Sequence, residues 1–311
     1  MLSMPTTDVI REILPLPFSA EIQSRIYDLL VPEIPFKLML LSHRHYGSIV
    51  PSLYTHITLS GQNADRFNER IHCTMQKDAV GKRMKWVGRK SKACTNTQSL
   101  VISDDACLMS IDHLVQSSLR RPLKHHDQAC WSDTLFPNLK KVVLRYSTMN
   151  LLTSEFMANL FGGRMQSLEK CIGNVKIIHV DVSSGEFEKI HLKILIQMIK
   201  DNFTKAESVI FRMKWGLLPI PPQWIRSIPL LKMYLEEKEE TDEGLVARTN
   251  LRMFNIMYRY GNDQIPREKP LEVYFRNEEL VQDYNNRMLN RRGIDNMLSI
   301  RQWQEEDDWM K

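Results

Sequence analysis

Glycine is scarce: 12 residues in a chain of 311. So few leave little backbone for loops that wrap phosphates, and no P-loop, GxGxxG, GxSxG or HExxH pattern occurs. The five cysteines (Cys73, Cys94, Cys107, Cys130 and Cys171) are odd in number and include no CxxC pair. Their spacing argues against a zinc knuckle or a dithiol redox motif and suits reduced thiols in the cytoplasm or nucleus. No stretch of 18 apolar residues offers a membrane span, and the first eleven residues lack the basic start and apolar run of a secretory signal. Charge of one sign is not in large excess either. The 42 basic and 37 acidic residues leave a net +5, too mild on its own to imply a nucleic-acid partner.

The chain does hold an ordinary globular share of apolar residues, 43%, enough at this length to build a core without disulfides or metals. Its first 60 residues are punctuated by Pro15, Pro17, Pro32, Pro35 and Pro51. After Ser19, a plausible N-cap, Ile22, Ile26, Leu29 and Leu30 recur at helical spacing, and Pro32 and Pro35 end the run. A second helix carries Leu38, Leu41 and Ile49 up to a break at Pro51, and Leu53, Thr55, Ile57 and Leu59 then alternate as an entering strand. Residues 64–80, with Phe67, Ile71 and Met75, read as an amphipathic helix.

Beyond residue 98 the texture changes. Strands are expected at 99–103, 140–146, 175–182, 208–215, 231–236 and 271–275, each rich in β-branched or aromatic residues. Helices are expected between them at 111–119, 154–161 and 191–203, the last with Leu192, Leu195, Ile196 and Ile199 on one face. Strand, helix, strand argues for parallel pairing, because parallel neighbours need a long crossover. The strand starts fall at drifting intervals of roughly 41, 35, 33, 23 and 40 residues. The stretch FPNLKKVVL sets Leu139, Val142 and Leu144 at offsets like those of leucine-rich repeats, without the usual asparagine-ladder consensus. Two architectures fit: a solenoid of degenerate repeats or an ordinary open α/β sheet. The acidic stretch 236–244 reads as a solvated loop, and residues 277–311 as one or two polar helices.

The N-terminal unit resembles an F-box, in the form common in fungal proteins. The residues that carry the likeness are Leu16-Pro17, Glu21-Ile22, Ile26, Leu29-Leu30, Leu38, Leu41-Ser42, Tyr46 and Pro51-Ser52-Leu53-Tyr54. The likeness covers about 45 of the 311 residues. It implies a three-helix bundle that binds the Skp-type adaptor of a cullin–RING ubiquitin ligase, while the rest of the chain recruits a protein substrate. The adaptor-binding residues it implies are Leu16, Pro17, Ile22, Ile26, Leu29, Leu38 and Leu41. A bundle this small buries too little surface to stand alone. Its apolar strip either fills a partner groove or packs on the chain's own body.

Other motifs weigh less. Lys82, Arg83, Lys85, Trp86, Arg89 and Lys90 form a basic run that suits a nucleic-acid contact or an import signal, or simply a solvated loop, the commoner case. His43 and His45, two apart on a helix, face different ways. His125, His126 and Cys130 lack a second ligand pair at metal-site spacing. Gly162-Gly163 reads as a helix C-cap, and Asp104-Asp105 as a turn or cap.

The expected organisation is an F-box-like helical module (1–60), a helix and basic linker (61–98), an α/β repeat body with parallel strands (99–276) and a polar helical tail (277–311). The expected role is a non-catalytic substrate-recognition adaptor, in the cytoplasm or nucleus, with no metal, cofactor or membrane partner. The alternatives are a degenerate F-box scaffold touching nucleic acid through residues 77–92, and an α/β enzyme with an unrecognised site.

Overall fold

The computed structural model describes residues 19–33, 43–78, 81–118, 130–131, 134–157, 163–184, 189–214, 230–236, 271–276, 278–289 and 298–303. Runs of Val, Ile and Leu make strands of the six predicted segments, now bounded as β4 (Ser99–Ile102), β6 (Lys141–Arg145), β7 (Ile177–Asp181), β8 (Ser208–Lys214), β9 (Leu230–Glu236) and β10 (Leu271–Phe275). With β1 (His56–Leu59) and β11 (Leu298–Gln302) they form an eight-stranded sheet ordered β1-β4-β6-β7-β8-β9-β10-β11, parallel throughout. The order follows the chain and never reverses.

Register sorts the strand residues into rows. One row is Leu59, Ile102, Leu144, Val180, Phe211, Met233, Val273 and Ile300. The row two residues earlier runs Ile57, Leu100, Val142, Ile178, Val209 and Leu231. All of these are buried and belong to one core cluster. Alternation along a strand puts the rows between them on the opposite face.

Helices supply the other half of that cluster. They are α5 (Asp105–Ser118), α6 (Tyr146–Met157), α7 (Gly163–Ile172) and α8 (Lys189–Asn202). In α5 the buried residues Cys107, Leu108, Ile111, Leu114 and Val115 recur at helical spacing and form the core-facing stripe. The Asp104 carboxylate caps this helix, accepting the Cys107 N–H at 2.8 Å, and also accepts the Gly61 N–H. Val143, Tyr234 and Tyr274 are equally buried yet lie outside the core cluster, on the other face of the sheet. The described helices α5, α6, α7 and α8 all contribute residues to the core cluster, as right-handed crossovers that advance in one direction require.

One turn recurs ahead of four strands. The N–H groups of Thr97, Leu139, Val175 and Ala206 bond the carbonyls of Cys94, Phe136, Ile172 and Phe203 three residues back. The residue after the turn then ties to the preceding turn: Lys140 N to Gln98 O, Lys176 N to Lys140 O, Glu207 N to Lys176 O. An asparagine occupies the same place in three of the turns. Asn138 donates to Thr95 O in the preceding turn, Asn174 donates to Thr134 Oγ1 two residues ahead of the preceding turn, and Asn96 donates to Ala93 O.

Several expectations are corrected. Residues 64–80 are not one helix: α3 (Ala64–Asn68) stops, and β2 (His72–Asp78) follows. Ile71 and Met75 serve both the four-residue spacing from Phe67 and the two-residue alternation through Cys73, and pairing with a neighbouring strand decided for the second. The basic segment is likewise no loop. It forms β3 (Gly81–Val87), antiparallel to β2 and parallel to the short β5 (Cys130–Trp131), in a separate three-stranded sheet.

Pro51 does not break its helix: α2 (His43–Thr55) continues through it. The residue four positions back, whose carbonyl meets the proline ring, is Gly47, and the Thr55 hydroxyl donates to Pro51 O at 2.7 Å. Gly163 opens α7 rather than ending a helix. The C-terminal tail is not wholly helical: α9 (Glu278–Leu289) is followed by β11, whose short Leu298–Ile300 alternation pairs beside β10.

Candidate functional site

The helix α1 (Ala20–Glu33) is opened by Ser19, whose hydroxyl accepts the Ile22 N–H at 3.5 Å. Ile22 and Leu29 lie seven residues apart, two helical turns, and therefore on one side of α1. They leave 48% and 69% of their surface exposed, while Ile26 between them is half-buried. Tyr46, on α2, is 40% exposed. Leu16, Pro17, Leu38 and Leu41 fall outside the described residues. Helices α1 and α2 therefore present some apolar surface to water.

The predicted basic run is divided by its strand. Trp86 is 8% exposed, opposite Cys73, so no base can stack on it. The Lys90 ammonium donates to the carbonyls of Arg66 and Phe67 at 2.6 and 3.2 Å, at the end of α3. Burial lowers its pKa. Lys85 and Arg89 remain exposed, Arg83 is half-buried, and Lys82 sits in β3 opposite Lys77. Arg89 begins α4 (Arg89–Cys94).

Sequence reasoning missed a third region: the sheet face away from the core. At the carboxyl ends of the strands the register aligns Arg145, Asp181, Arg212, Tyr234, Tyr274 and Arg301 in one row. The Tyr234 and Tyr274 rings stack at 4.4 Å, 9° from parallel, and Trp303 meets Tyr234 edge-on at 5.1 Å. The guanidinium of Arg276 lies 4.6 Å from the Trp303 ring centre and that of Arg212 5.5 Å. Arg212 also pairs with Asp181 at 3.9 Å. Glu272 accepts from the Tyr274 hydroxyl at 2.7 Å and pairs with Lys232 at 3.0 Å and Arg301 at 3.9 Å. Burial alone would raise the Glu272 pKa. The Tyr274 hydrogen bond and the two cations outweigh it and hold the carboxyl below its usual range.

None of this assembles a nucleophile with a base. Burial pushes the Cys94 and Cys107 thiols up to about 12, so both stay protonated. His179 is 4% exposed, and burial, then Lys141 and Lys232, lower its pKa to about 3, leaving it neutral. Among the described residues no group of three His, Cys, Asp or Glu side chains is placed to hold a metal ion, and no helix is long and apolar enough to cross a membrane. His125 and His126 lie outside those residues. Among the described strands the order of the sheet does not reverse.

Compared with known proteins, residues 16–59 match a family model described as "Protein of unknown function (DUF3760)". No curated protein and no solved structure matches the chain significantly.

Proposed function

We propose that this chain is a non-catalytic adaptor of a cullin–RING ubiquitin ligase. Its F-box-like N-terminal helices dock a Skp-type subunit, and a solenoid of degenerate, leucine-rich-repeat-like units holds the substrate. The observation that carries the reading is the exposure of Ile22 and Leu29 on the side of α1 that the F-box likeness assigns to the adaptor. The family match covers nearly the same segment as that likeness, so residues 16–59 behave as a unit in sequence as well.

The solenoid reading is supported by strands laid down in chain order and by the recurring turn that precedes four of them. In such an array each unit buries its apolar face mainly against its neighbours. Ubiquitin transfer then needs no chemistry from this chain. One molecule that binds two others raises their effective concentration for each other.

The test is capture of a purified Skp-type adaptor by the full chain. Ile22→Asp with Leu29→Asp is expected to abolish capture, since each carboxylate would be forced into an apolar groove. Capture that survives both substitutions sinks the docking role of α1.

A further inference from the structure

We propose that the outward face of the small sheet, with the strained turn beside it, binds the phosphate backbone of a nucleic-acid duplex through Arg70, Lys85, Arg89 and Lys92. The proposal is independent of the adaptor role, which belongs to α1.

The positive charge of the chain is concentrated here. Residues 64–98 hold nine basic and three acidic residues, while the rest of the chain is close to balanced, with 33 basic and 34 acidic. Such asymmetry points to a polyanionic partner where the total of +5 does not. The fold decides which of these cations reach water. In β2 and β3 the side chains of Cys73, Met84 and Trp86 join the core, and the residues between them face outward. On that outward side His72, Thr74 and Lys85 are exposed. Arg70, just ahead of β2, is exposed as well, and so are Arg89 and Lys92, three apart on α4.

These four cations are not neutralised. None of Arg70, Lys85, Arg89 and Lys92 is in an ion pair among the described residues. The acidic residues of the stretch are Asp65, which accepts the Ser110 hydroxyl, exposed Glu69, and Asp78 at the far end of β2. Lys90 is held by the carbonyls at the end of α3 and Arg83 is half-buried, so neither belongs to the footprint.

A strained turn fixes one of the four. Arg70 has φ 65°, and among the described residues it is the one non-glycine with positive φ. Such a conformation persists only where its surroundings over-determine it, and it gathers at functional positions. Its neighbour across the turn is Gly88, at φ 111°, where a Cβ would come within 2.8 Å of the Arg70 carbonyl oxygen. Two uncommon backbone conformations thus meet where β2 begins and β3 ends, and they set Arg70 beside Arg89. A turn that only joined α3 to β2 would form more easily with glycine or asparagine at position 70. Arginine there adds a cation despite the strain.

The chemistry of the face narrows the partner. Protein interfaces centre on aromatic and aliphatic anchors and are poor in lysine. No large apolar side chain is exposed among the described residues of this stretch. Nucleic-acid interfaces are polar and strongly basic, and hydroxyls join cations on the phosphates; Thr74, opposite Lys85, supplies one. A single strand would need an open aromatic face for its bases. Trp86, the aromatic ring of β3, is 8% exposed. A duplex offers its phosphates without that requirement.

The experiment follows binding of the full chain to a short fluorescent duplex between about 50 and 200 mM salt, with DNA and RNA duplexes as separate arms. Parallel titrations use a single strand of equal length, a peptide of alternating Glu and Ser, and phosphatidylserine vesicles. Four cations on phosphates should give a slope of log affinity against log salt of about −3 to −4. Lys85→Gln and Arg89→Gln should each flatten it by about one, and Lys85→Glu with Arg89→Glu should weaken binding about tenfold or more at low salt. Lys140→Gln, on the large sheet, should leave the slope unchanged.

Arg70→Asn separates binding from folding. Asparagine tolerates this backbone better, so duplex binding should weaken while the thermal midpoint holds or rises. A lower midpoint with unchanged binding would make Arg70 a structural residue and overturn the proposal. It is equally overturned if neither duplex binds at low salt or if the slope ignores Lys85 and Arg89. Tighter binding of the single strand, the peptide or the vesicles through the same residues also overturns it. Adaptor capture should survive every one of these substitutions, and the Ile22 and Leu29 variant should keep the duplex.

Discussion

Leu29, on α1, leaves 69% of its surface in water, whereas Leu100, on β4, leaves none. Full burial of such a side chain is worth about 1.5–3 kcal/mol, so Leu100 contributes to holding the body together and Leu29 holds back most of that contribution. A helix of 14 residues is marginal on its own in water. The comparison teaches that the same residue type meets two environments in this chain: in the body it closes a core, and on the N-terminal arm, α1, it stays in water.

The sharpest way to break that contrast is truncation at both places. Phe211→Ala, in a strand interior where the ring is fully buried, should cost about 3–5 kcal/mol in chemical denaturation. Leu29→Ala should stay within about 0.5 kcal/mol, as surface changes do. A cost for Leu29→Ala comparable to that of Phe211→Ala would mean that the arm is packed after all.

A second effect belongs to the body alone and depends on pH. The His179 pKa lies at about 3 against an ordinary 6.5, through burial first and then through Lys141 and Lys232. The unfolded chain therefore takes up this proton before the folded one. The stability linked to His179 is complete above pH 6.5 and declines as pH falls from 6.5 toward 3, by a few kcal/mol in all. Glu272, whose pKa is lowered, adds its own loss only within the carboxylate range. Denaturation midpoints between pH 5 and 6.5 should thus fall with pH in the native chain and flatten in His179→Leu. An unchanged slope in that variant would remove His179 as the cause.

Much of this body was legible because Val, Ile and Leu runs such as Lys141–Arg145 and Ile177–Asp181 mark buried parallel strands by composition alone. β2 was not legible, since Ile71 and Met75 satisfy two periods and only pairing with β3 resolves them. β11 is five residues of weak alternation inside a polar tail. The turn asparagines 96, 138 and 174 escaped notice because their intervals drift with those of the strands. The arginine and tyrosine row lies scattered over six segments, and register across the sheet is needed to see it as one feature. Ile22 and Leu29 were visible as an apolar pair, but periodicity could not say whether the body covered them.

The smallest of the expected effects tests how tightly the body is sealed. Thr97 occupies the turn position that Leu139, Val175 and Ala206 fill in the units that follow, and it is fully buried. Its hydroxyl finds no hydrogen-bond partner among the described residues. A hydroxyl removed from water without compensation is a net cost, and valine keeps the shape without the oxygen. Thr97→Val should therefore stabilise the chain by about 1 kcal/mol and raise the thermal midpoint by about 1–2 °C. In the arm, where water reaches the side chains, a comparable loss of a hydroxyl has nothing to relieve. A fall in the midpoint for Thr97→Val would show that the hydroxyl is satisfied and that this turn is held by a polar contact where its three counterparts use apolar packing.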